Sequence, residues 1–381
     1  MTLLAGLSLL AAALTSCIRD EAPNAECDIT GVDPAWLEQQ ADLFRGNPIV
    51  TNDHVSFTIE PGKDRSALSP KFTLTPGAAL TAIVDGKQVE ANGLQRDFSS
   101  PQTYTTHSAD GLWSKDYSVS FNYPVPLRQL SFEHYELDKT GRYQLWYEID
   151  PEDTENPRRD YWASGNAGFA LTGMAQSPAD YPTASDPVGV SGNCVKLVTR
   201  STGSFGQNAN MPIAAGNLFV GEFVSAQAMI FPLQATRFGL QLVGGKPLRL
   251  EGWYKYTAGA VYTDRKQQVH PELTDTADIY AVVYETEPEK FVPLNGSNVL
   301  SSDRIVMLAR IDDPGEPQEW KSFSEPFKLR PGKAFSEDRL RENGYAIAVV
   351  ATSSRQGAYF EGAVGSTLYI DELRIVWEGD E

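Results

Sequence analysis

Apolar and polar residues alternate with a period of two between about residue 48 and residue 123, which is the periodicity of half-buried strands. The alternation is clearest at residues 55–59, 72–74 and 117–121. The pair Asp85-Gly86, placed between two such stretches, is typical of a tight hairpin turn. Short strands at this spacing predict a small antiparallel sandwich of immunoglobulin type over residues 48–123.

The segment before this domain, residues 18–47, has a different pattern. Its first half is polar and without periodicity, so we expect a tether there. Asp33 followed by Pro34 is typical of a helix N-terminus, and Leu37, Ala41 and Phe44 recur at helical spacing. The sequence therefore predicts one short amphipathic helix at the end of the tether.

Residues 131–379 contain strand-like runs separated by Gly, Pro, Asn and Asp, with a single possible helical turn near residues 336–341. Pro124 and Pro126 precede this region and mark the domain boundary. A β-domain of about 250 residues is compatible with a sandwich or barrel. The predicted fold class is therefore all-β: an immunoglobulin-like sandwich followed by a β-jelly-roll domain.

The N-terminus carries an apolar run from Leu3 to Leu14 that ends in Thr15, Ser16 and Cys17. The run is too short to span a bilayer, which takes about 20 apolar residues, but it fits a signal peptide over residues 1–17. The small residues before Cys17 resemble a bacterial lipobox, which implies lipidation of this cysteine. Acidic residues 20–21 resemble the export signal of surface lipoproteins in Bacteroidetes-type bacteria.

These features predict an outer-membrane lipoprotein at the cell surface, with the periplasmic face as the alternative. A soluble protein with an apolar N-terminal helix is the competing interpretation. No Lys or Arg precedes the apolar run, which we explain by a true start that lies upstream.

The net charge of the chain limits the kinds of partner that it can bind. The chain has 32 basic and 50 acidic residues, a net charge of −18. This balance argues against nucleic acid and against an anionic membrane surface, since both need a basic patch. Membrane contact is therefore expected through the lipid alone. Cys27 and Cys194 are expected as two unpaired thiols, with a disulfide as the alternative. Four scattered histidines show no spacing that favours zinc.

Strand alternation also predicts a ligand-binding face. In residues 248–256 the even positions are apolar or glycine. The odd positions place the ring of Trp253 among the charged side chains of Arg249, Glu251 and Lys255. Residues 142–149 show a similar arrangement, and residues 161–166 add a third tryptophan in a loop. Sugars stack on aromatic rings while their hydroxyls need polar partners. The predicted carbohydrate-binding residues are Trp146, Trp162, Asn166, Arg249, Glu251, Trp253 and Lys255. The competing interpretation places each tryptophan in the core.

A longer motif at residues 351–373 resembles the closing motif of the putative carbohydrate metabolism domain family. Shorter matches occur in the same order at residues 132–133, 161–166, 219–223 and 252–256. The resemblance covers roughly residues 131–377, and an immunoglobulin-like domain is the usual companion. It implies a jelly roll related to carbohydrate-binding modules, in lipoproteins of gut-type bacteria that process glycans. It supplies no catalytic residues.

Three functions compete. The first is a non-catalytic glycan-binding lipoprotein involved in carbohydrate metabolism. The second is a glycoside hydrolase, which needs two carboxylates about 5 Å or about 6.5–9.5 Å apart; Glu251 and Glu285 are the candidate pair. The third is a structural or adhesion subunit without a small ligand.

No cofactor is predicted, and a structural calcium ion is one of two interpretations of a pair of acidic residues. Jelly-roll carbohydrate-binding modules often hold a structural calcium between their terminal strands. Glu133 in the first strand and Asp371 in the last could supply carboxylate oxygens, completed by backbone carbonyls and water. The interpretation that we favour is that the two side chains point to opposite faces or pair with Arg374 or a lysine.

Overall fold

The computed structural model describes residues 25–380 except residues 61, 125–127, 151–152 and 288–290. The described part is nearly all β, and its sheets form sandwiches, which confirms the predicted fold class. No helix in the described ranges is long and apolar enough to cross a membrane. The predicted signal peptide and Cys17 lie outside the described residues.

The N-terminal domain contains one short helix and eight strands. They are β1 (Ile29–Val32), α1 (Pro34–Gln39), β2 (Ile49–Val50), β3 (His54–Thr58), β4 (Phe72–Leu74), β5 (Ala79–Val84), β6 (Lys87–Glu90), β7 (Gln102–His107) and β8 (Ser114–Asn122). One sheet has the order β2-β3-β8-β7-β5-β6, and β1 pairs with β4 in a second. β3 and β8 are parallel, and the other pairs are antiparallel.

Two local signals in this domain behave as the sequence predicts, although α1 ends at Gln39, before Ala41 and Phe44. The Asp33 carboxylate accepts a hydrogen bond from the Trp36 amide at 2.8 Å and so caps α1. Asp85 and Gly86, with φ of 50° and 74°, form the turn between β5 and β6. The predicted tether is shorter than expected, because β1 already pairs with β4 and Ile29 lies in the domain core.

The C-terminal domain begins with two small strands and a series of short elements. Its first half comprises β9 (Gln129–Leu130), β10 (His134–Leu137), β11 (Gln144–Asp150), β12 (Asp153–Arg158), β13 (Trp162–Ala163), α2 (Asn166–Phe169), β14 (Thr183–Asp186), β15 (Cys194–Val198), β16 (Arg200–Ser201), α3 (Gly203–Asn208), β17 (Ile213–Ala214), β18 (Asn217–Phe223), α4 (Pro232–Ala235), β19 (Thr236–Phe238) and β20 (Gln241–Leu242).

Longer strands make up the second half. It comprises β21 (Pro247–Thr257), β22 (Tyr262–Thr263), β23 (Asp278–Glu285), β24 (Leu294–Asn295), β25 (Ile305–Arg310), β26 (Lys321–Pro326), β27 (Lys328–Leu329), α5 (Glu337–Arg341), β28 (Tyr345–Thr352), β29 (Gly362–Ala363) and β30 (Thr367–Trp377). Helix α5, capped by Ser336, is the helical turn that the sequence predicts.

Two sheets form the jelly roll. The first has the order β14-β15-β30-β21-β26, and the second has the order β24-β19-β18-β28-β23-β25-β27. The main core lies between them and includes Leu250, Tyr254 and Ile370 from the first sheet and Ile279 and Ile347 from the second. The first sheet therefore has one face in the core and one outer face.

The second sheet is covered on both faces. Residues alternate along β28, so that Ile347 and Val349 enter the main core while Ala348 and Val350 enter a separate cluster on the far face. That far face is covered by short helices and loops. The physical consequence is a hydrophobic region outside the central sandwich.

The two domains share a buried polar network. Arg158 pairs with Asp160 at 2.9 Å, and both side chains are almost fully buried. The Thr58 hydroxyl of the N-terminal domain donates to Asp160 at 2.7 Å, and Arg158 donates to Gln241 at 3.1 Å. Buried charges require such complete pairing, so the network ties β3 to the jelly roll.

Both described cysteines are unpaired and buried. Cys194 lies in β15 of the jelly roll, whereas Cys27 precedes β1 in the N-terminal domain. Burial raises the pKa of the Cys194 thiol to about 12. This result agrees with the expectation of two unpaired thiols.

Candidate functional site

The outer face of the first sheet carries a row of alternating cations and aromatic rings. In the strand register Lys196 of β15 lies opposite Tyr369 of β30, which lies opposite Lys255 of β21. The Lys255 ammonium is 4.6 Å from the ring centroids of both Tyr369 and Trp320, and that of Lys196 is 5.5 Å from Tyr369. Such distances are favourable for cation–π attraction. The row crosses three strands and reaches the residue before β26.

Trp253 lies on the same outer face, two residues before Lys255 along β21. It is half-buried, and its register partners are Asp371 and Ser322. Leu250, Tyr254 and Tyr256 point into the core, so the predicted alternation of this strand is confirmed. Lys196, Trp253, Lys255, Trp320 and Tyr369 are named here the outer-face cluster.

A polar pair borders this cluster. The Arg249 guanidinium donates to Glu251 at 3.1 Å, and the Ser324 hydroxyl donates to the same carboxylate oxygen at 3.0 Å. Partial burial alone would raise the pKa of Glu251, but these hydrogen bonds and the charges of Arg249 and Arg374 lower it. Glu251 is therefore ionised at neutral pH and can accept hydrogen bonds from a ligand hydroxyl.

The prediction for Trp146 is wrong. Its side chain is 2% exposed and belongs to the main core, so no ligand can stack on it. The more polar face of β11 is the buried one. Its polar side chains are satisfied there: Gln144 accepts a hydrogen bond from the Ser185 amide at 2.6 Å. Glu148 accepts one from the Trp162 indole at 2.8 Å. Hydrogen-bonded polar groups can occupy a core face at little cost.

Trp162 and Asn166 are also wrongly assigned to ligand binding. Trp162 is 5% exposed, and its ring packs against Phe132 with centroids 5.3 Å apart. Asn166 is fully buried; it donates to the Thr183 carbonyl at 2.7 Å and accepts from the Thr183 amide at 3.1 Å. These contacts hold α2 to β14.

Glu148 is a buried acid that sequence reasoning did not single out. Burial raises its pKa to about 7, against the opposing effect of hydrogen bonds from the Trp162 indole and the Ser131 and Phe132 amides. Its two oxygens bond Trp162 at 2.8 Å and Ser131 at 3.3 Å. The carboxyl therefore holds the first segment of the jelly roll onto the core.

The structure contradicts the catalytic pairing of Glu251 with Glu285. Glu251 lies on the outer face of the first sheet, whereas Glu285 ends β23 in the second sheet. Glu285 pairs with Lys333 at 3.1 Å and with Arg339 at 3.9 Å. Packed sheets are about 10 Å apart, and the core lies between the sheet faces, so these carboxylates cannot act on one glycosidic bond.

Glu133 and Asp371 meet the same loop, residues 187–193, which joins β14 to β15. Asp371 accepts hydrogen bonds from the amides of Val190 at 2.6 Å and Ser191 at 3.1 Å. Glu133 accepts one from the Asn193 amide at 3.0 Å. Burial raises the pKa of Asp371 to about 6, although these amides lower it. Backbone N–H groups thus supply the positive potential that a calcium ion would otherwise provide.

The calcium prediction can be tested directly. If Glu133 and Asp371 bind calcium in addition to these amides, the midpoint of thermal unfolding should rise with calcium concentration, since the ion would bind the native state alone. We would compare melts in chelator and in millimolar calcium, with Glu133→Gln as the control variant. Equal midpoints in both conditions would remove calcium from this site.

One other group of possible ligands occurs within the described ranges. Asp53, His54 and Glu136 offer ligand atoms within 4.8 Å of one another. The Asp53 carboxylate is 2.6 Å from His54 Nδ1, and Glu136 pairs with Arg159 at 3.2 Å. These ion pairs account for the group as an exposed contact between the domains.

Three residues of the outer-face cluster were not predicted. Tyr369 could have been found, because Leu368 and Ile370 flank it in an alternating strand. Lys196 lies in a short apolar run, and its residue type alone does not indicate a ligand-binding position. Trp320 precedes β26 in a polar stretch, and only the fold places its indole N–H 3.2 Å from the Val188 carbonyl.

The fold and this cluster define a two-domain β-sandwich protein with a row of half-buried aromatic rings on one outer sheet face. The family model described as "putative carbohydrate metabolism domain" matches residues 131–376, and the chain belongs to this family. Its role is therefore related to carbohydrates. A second model, described as "SGBP, N-terminal", matches residues 45–121. No match was found among the curated proteins.

Two solved structures resemble the chain closely. One, described as a putative glycoside hydrolase from Bacteroides thetaiotaomicron, is 41% identical, with a TM-score of 0.73 over 94% of this chain and 99% of the other. The second, described as a putative glycoside hydrolase from Bacteroides vulgatus, is 36% identical, with a TM-score of 0.60 over 66% of this chain and 99% of the other.

Proposed function

We propose that this protein binds a glycan on the outer-face cluster without cleaving it. The observation that carries the proposal is the row Lys196–Tyr369–Lys255–Trp320, with Trp253 on the same face. Aromatic rings provide apolar surface for the C–H faces of sugars, and the neighbouring charged groups suit their hydroxyls. At about 4.8 Å per strand, the row is long enough for a short oligosaccharide.

Binding is preferred over hydrolysis for a geometric reason. Both solved relatives are described as putative glycoside hydrolases, and hydrolysis needs two carboxylates at about 5–9.5 Å across one bond. Glu251 and Glu285 belong to different sheets. Near the cluster, the ionised Glu251 carboxylate is paired with Arg249. The pair that the sequence suggests for hydrolysis therefore gains no support from the structure.

A glycan array screened with residues 18–381 tests the proposal. We expect binding to at least one polysaccharide. Screening the same polysaccharides for released reducing ends separates binding from hydrolysis. No binding to any glycan would favour the structural or adhesion function instead, and product release would favour the hydrolase.

Replacing Trp253 by alanine should weaken glycan binding about tenfold or more. Stacking of a nucleic-acid base on an aromatic ring is worth roughly 1–3 kcal/mol, and we take this as the upper range for a sugar. A loss of about 1.4 kcal/mol corresponds to one decade in affinity. Trp113→Ala is the matched control, because Trp113 is 63% exposed but lies in the turn between β7 and β8 of the other domain. Titration calorimetry with the selected glycan measures both variants. Equal affinities for wild type and Trp253→Ala would exclude this ring from the site.

We also propose that the protein is anchored to the outer membrane by lipid on Cys17, with the binding domain at the cell surface. The support is the Leu14-Thr15-Ser16-Cys17 motif of the sequence. Cys17→Ala should abolish acylation and move the protein from the membrane fraction to the soluble one. Detergent partitioning measures this, with Cys27→Ala as the control. A Cys17→Ala protein that stays in the detergent phase would overturn the anchor.

A further inference from the structure

A cavity of about 360 Å³ lies on the far face of the second sheet, away from the outer-face cluster. Its floor is formed by Phe219 of β18, Tyr280 of β23 and Val350 of β28. The segments around α2, α3 and α4 form its walls and contribute aromatic and sulfur-containing side chains: Phe169, Phe205, Met211, Phe223 and Met229. Its volume lies in the range of small-molecule sites.

Polar groups in the cavity wall are bound to other parts of the protein. Asn217 accepts a hydrogen bond from the Gly165 amide at 2.8 Å, and the Thr202 hydroxyl donates to the Met211 carbonyl at 2.6 Å. Asp278 receives two hydrogen bonds from Arg310, at 2.8 and 2.7 Å. A sugar needs many free donors and acceptors, so this cavity does not suit a sugar. It suits an apolar molecule.

Two of these groups are exceptions. The Arg355 Nε makes no hydrogen bond within the described residues and lies 3.8 Å from Asp278, and Tyr280 is the second. Its side chain lines the cavity, and its residue is 4% exposed. Its hydroxyl makes no hydrogen bond within the described part of the chain, although the neighbouring Tyr284 hydroxyl bonds two carbonyls at 2.9 Å. The hydroxyl is reachable by solvent rather than sealed in the core, so it is free to bond a ligand or water in the cavity. A ligand with one hydrogen-bonding group next to an apolar body would satisfy it.

The entrance to the cavity is apolar as well. Phe205, Met229 and Tyr359 line it and are 49%, 38% and 47% exposed. Methionine and aromatic side chains adapt to flat apolar ligands. A recessed, ring-lined space with an open rim favours a small molecule over a flat protein surface, because a concave site removes much of a small ligand's surface from water.

We propose that this cavity binds a neutral aromatic molecule that carries one hydroxyl group, with the hydroxyl placed at Tyr280. The ring would pack against the wall formed by Phe169, Phe205 and Phe223. A cavity of about 150 Å³ lined by apolar side chains already accommodates benzene, so this larger one accommodates a fused two-ring system. The proposal uses no residue of the outer-face cluster, so the two sites can fail separately.

The first experiment uses 2-naphthol as the probe. Titration calorimetry measures its binding to residues 18–381. We expect saturable binding to the wild type and at least a tenfold loss in Ala228→Trp, whose indole would fill the cavity beside Gly168. Ala226→Trp is the matched control, because Ala226 is exposed in the same turn and does not line the cavity. It should bind like the wild type.

The second experiment tests the hydroxyl contact with Tyr280→Phe, which keeps the ring and leaves the fold intact. The affinity for 2-naphthol should fall roughly threefold to tenfold, the value of one hydrogen bond, while that for naphthalene stays unchanged. No saturable binding of either probe to the wild type would overturn the proposal. Equal losses of 2-naphthol affinity in Ala226→Trp and Ala228→Trp would overturn it too. So would equal losses of affinity for 2-naphthol and for naphthalene in Tyr280→Phe.

Discussion

Trp146→Ala is expected to lower the free energy of unfolding by about 3–5 kcal/mol, the range for a large aromatic removed from a core. The ring is 2% exposed and belongs to the main hydrophobic core. Its removal leaves a cavity that the surrounding side chains cannot fill without moving. Chemical denaturation with a fluorescence or circular dichroism readout measures the loss.

Two variants make this experiment specific. Trp146→Phe keeps most of the ring and removes the indole N–H, which is buried without a hydrogen-bond partner within the described ranges, so its cost should be much smaller. Trp253→Ala, from a half-buried ring on the outer face, should cost less than Trp146→Ala. An unfolding free energy for Trp146→Ala equal to wild type would show that the ring is not a core residue.

Asp160→Asn is expected to cost about 3–5 kcal/mol, because it leaves the buried Arg158 charge without its closest counter-ion. Arg158 donates to both Asp160 oxygens, at 2.9 and 3.1 Å. The same carboxylate accepts the Thr58 hydroxyl of the N-terminal domain. The variant should therefore weaken the contact between domains as well as the jelly roll, and denaturation should become less cooperative.

Asp338→Asn is the matched control for this prediction. Asp338 also pairs with an arginine, Arg341, but its side chain is 85% exposed. Exposed pairs contribute about 0–1 kcal/mol, so this variant should unfold almost like the wild type. If Asp160→Asn were as mild as Asp338→Asn, the buried pair could not be what holds the two domains together.

Some elements were predictable because their signals are local. Asp33 caps α1 with its own side chain, and Asp85-Gly86 turns β5 into β6 through their positive φ angles. In β21, Leu250, Tyr254 and Tyr256 are buried, and no large polar side chain shares their face. Alternation therefore identified the outer position of Trp253 correctly.

The same argument failed in β11. Tyr143, Leu145 and Tyr147 look like a core face, yet they are half-buried, while Gln144, Trp146 and Glu148 are fully buried. Gln144 and Glu148 are stable there because Ser185 and Trp162, 41 and 14 residues away, satisfy them. Alternation compares hydrophobicity between faces and cannot detect hydrogen bonds to distant residues.

By itself the sequence determined the class of fold, the family and the outward position of Trp253, since strand alternation and short motifs depend on residues close together in the chain. The tertiary structure decided which tryptophans are exposed, separated Glu251 from Glu285, and aligned Lys196, Tyr369 and Trp320 with Lys255. It also formed the cavity at Tyr280 from segments far apart in sequence. Pairing between distant strands sets these arrangements. The alternation of one strand specifies which of its faces is buried, but it does not specify which distant strand it pairs with.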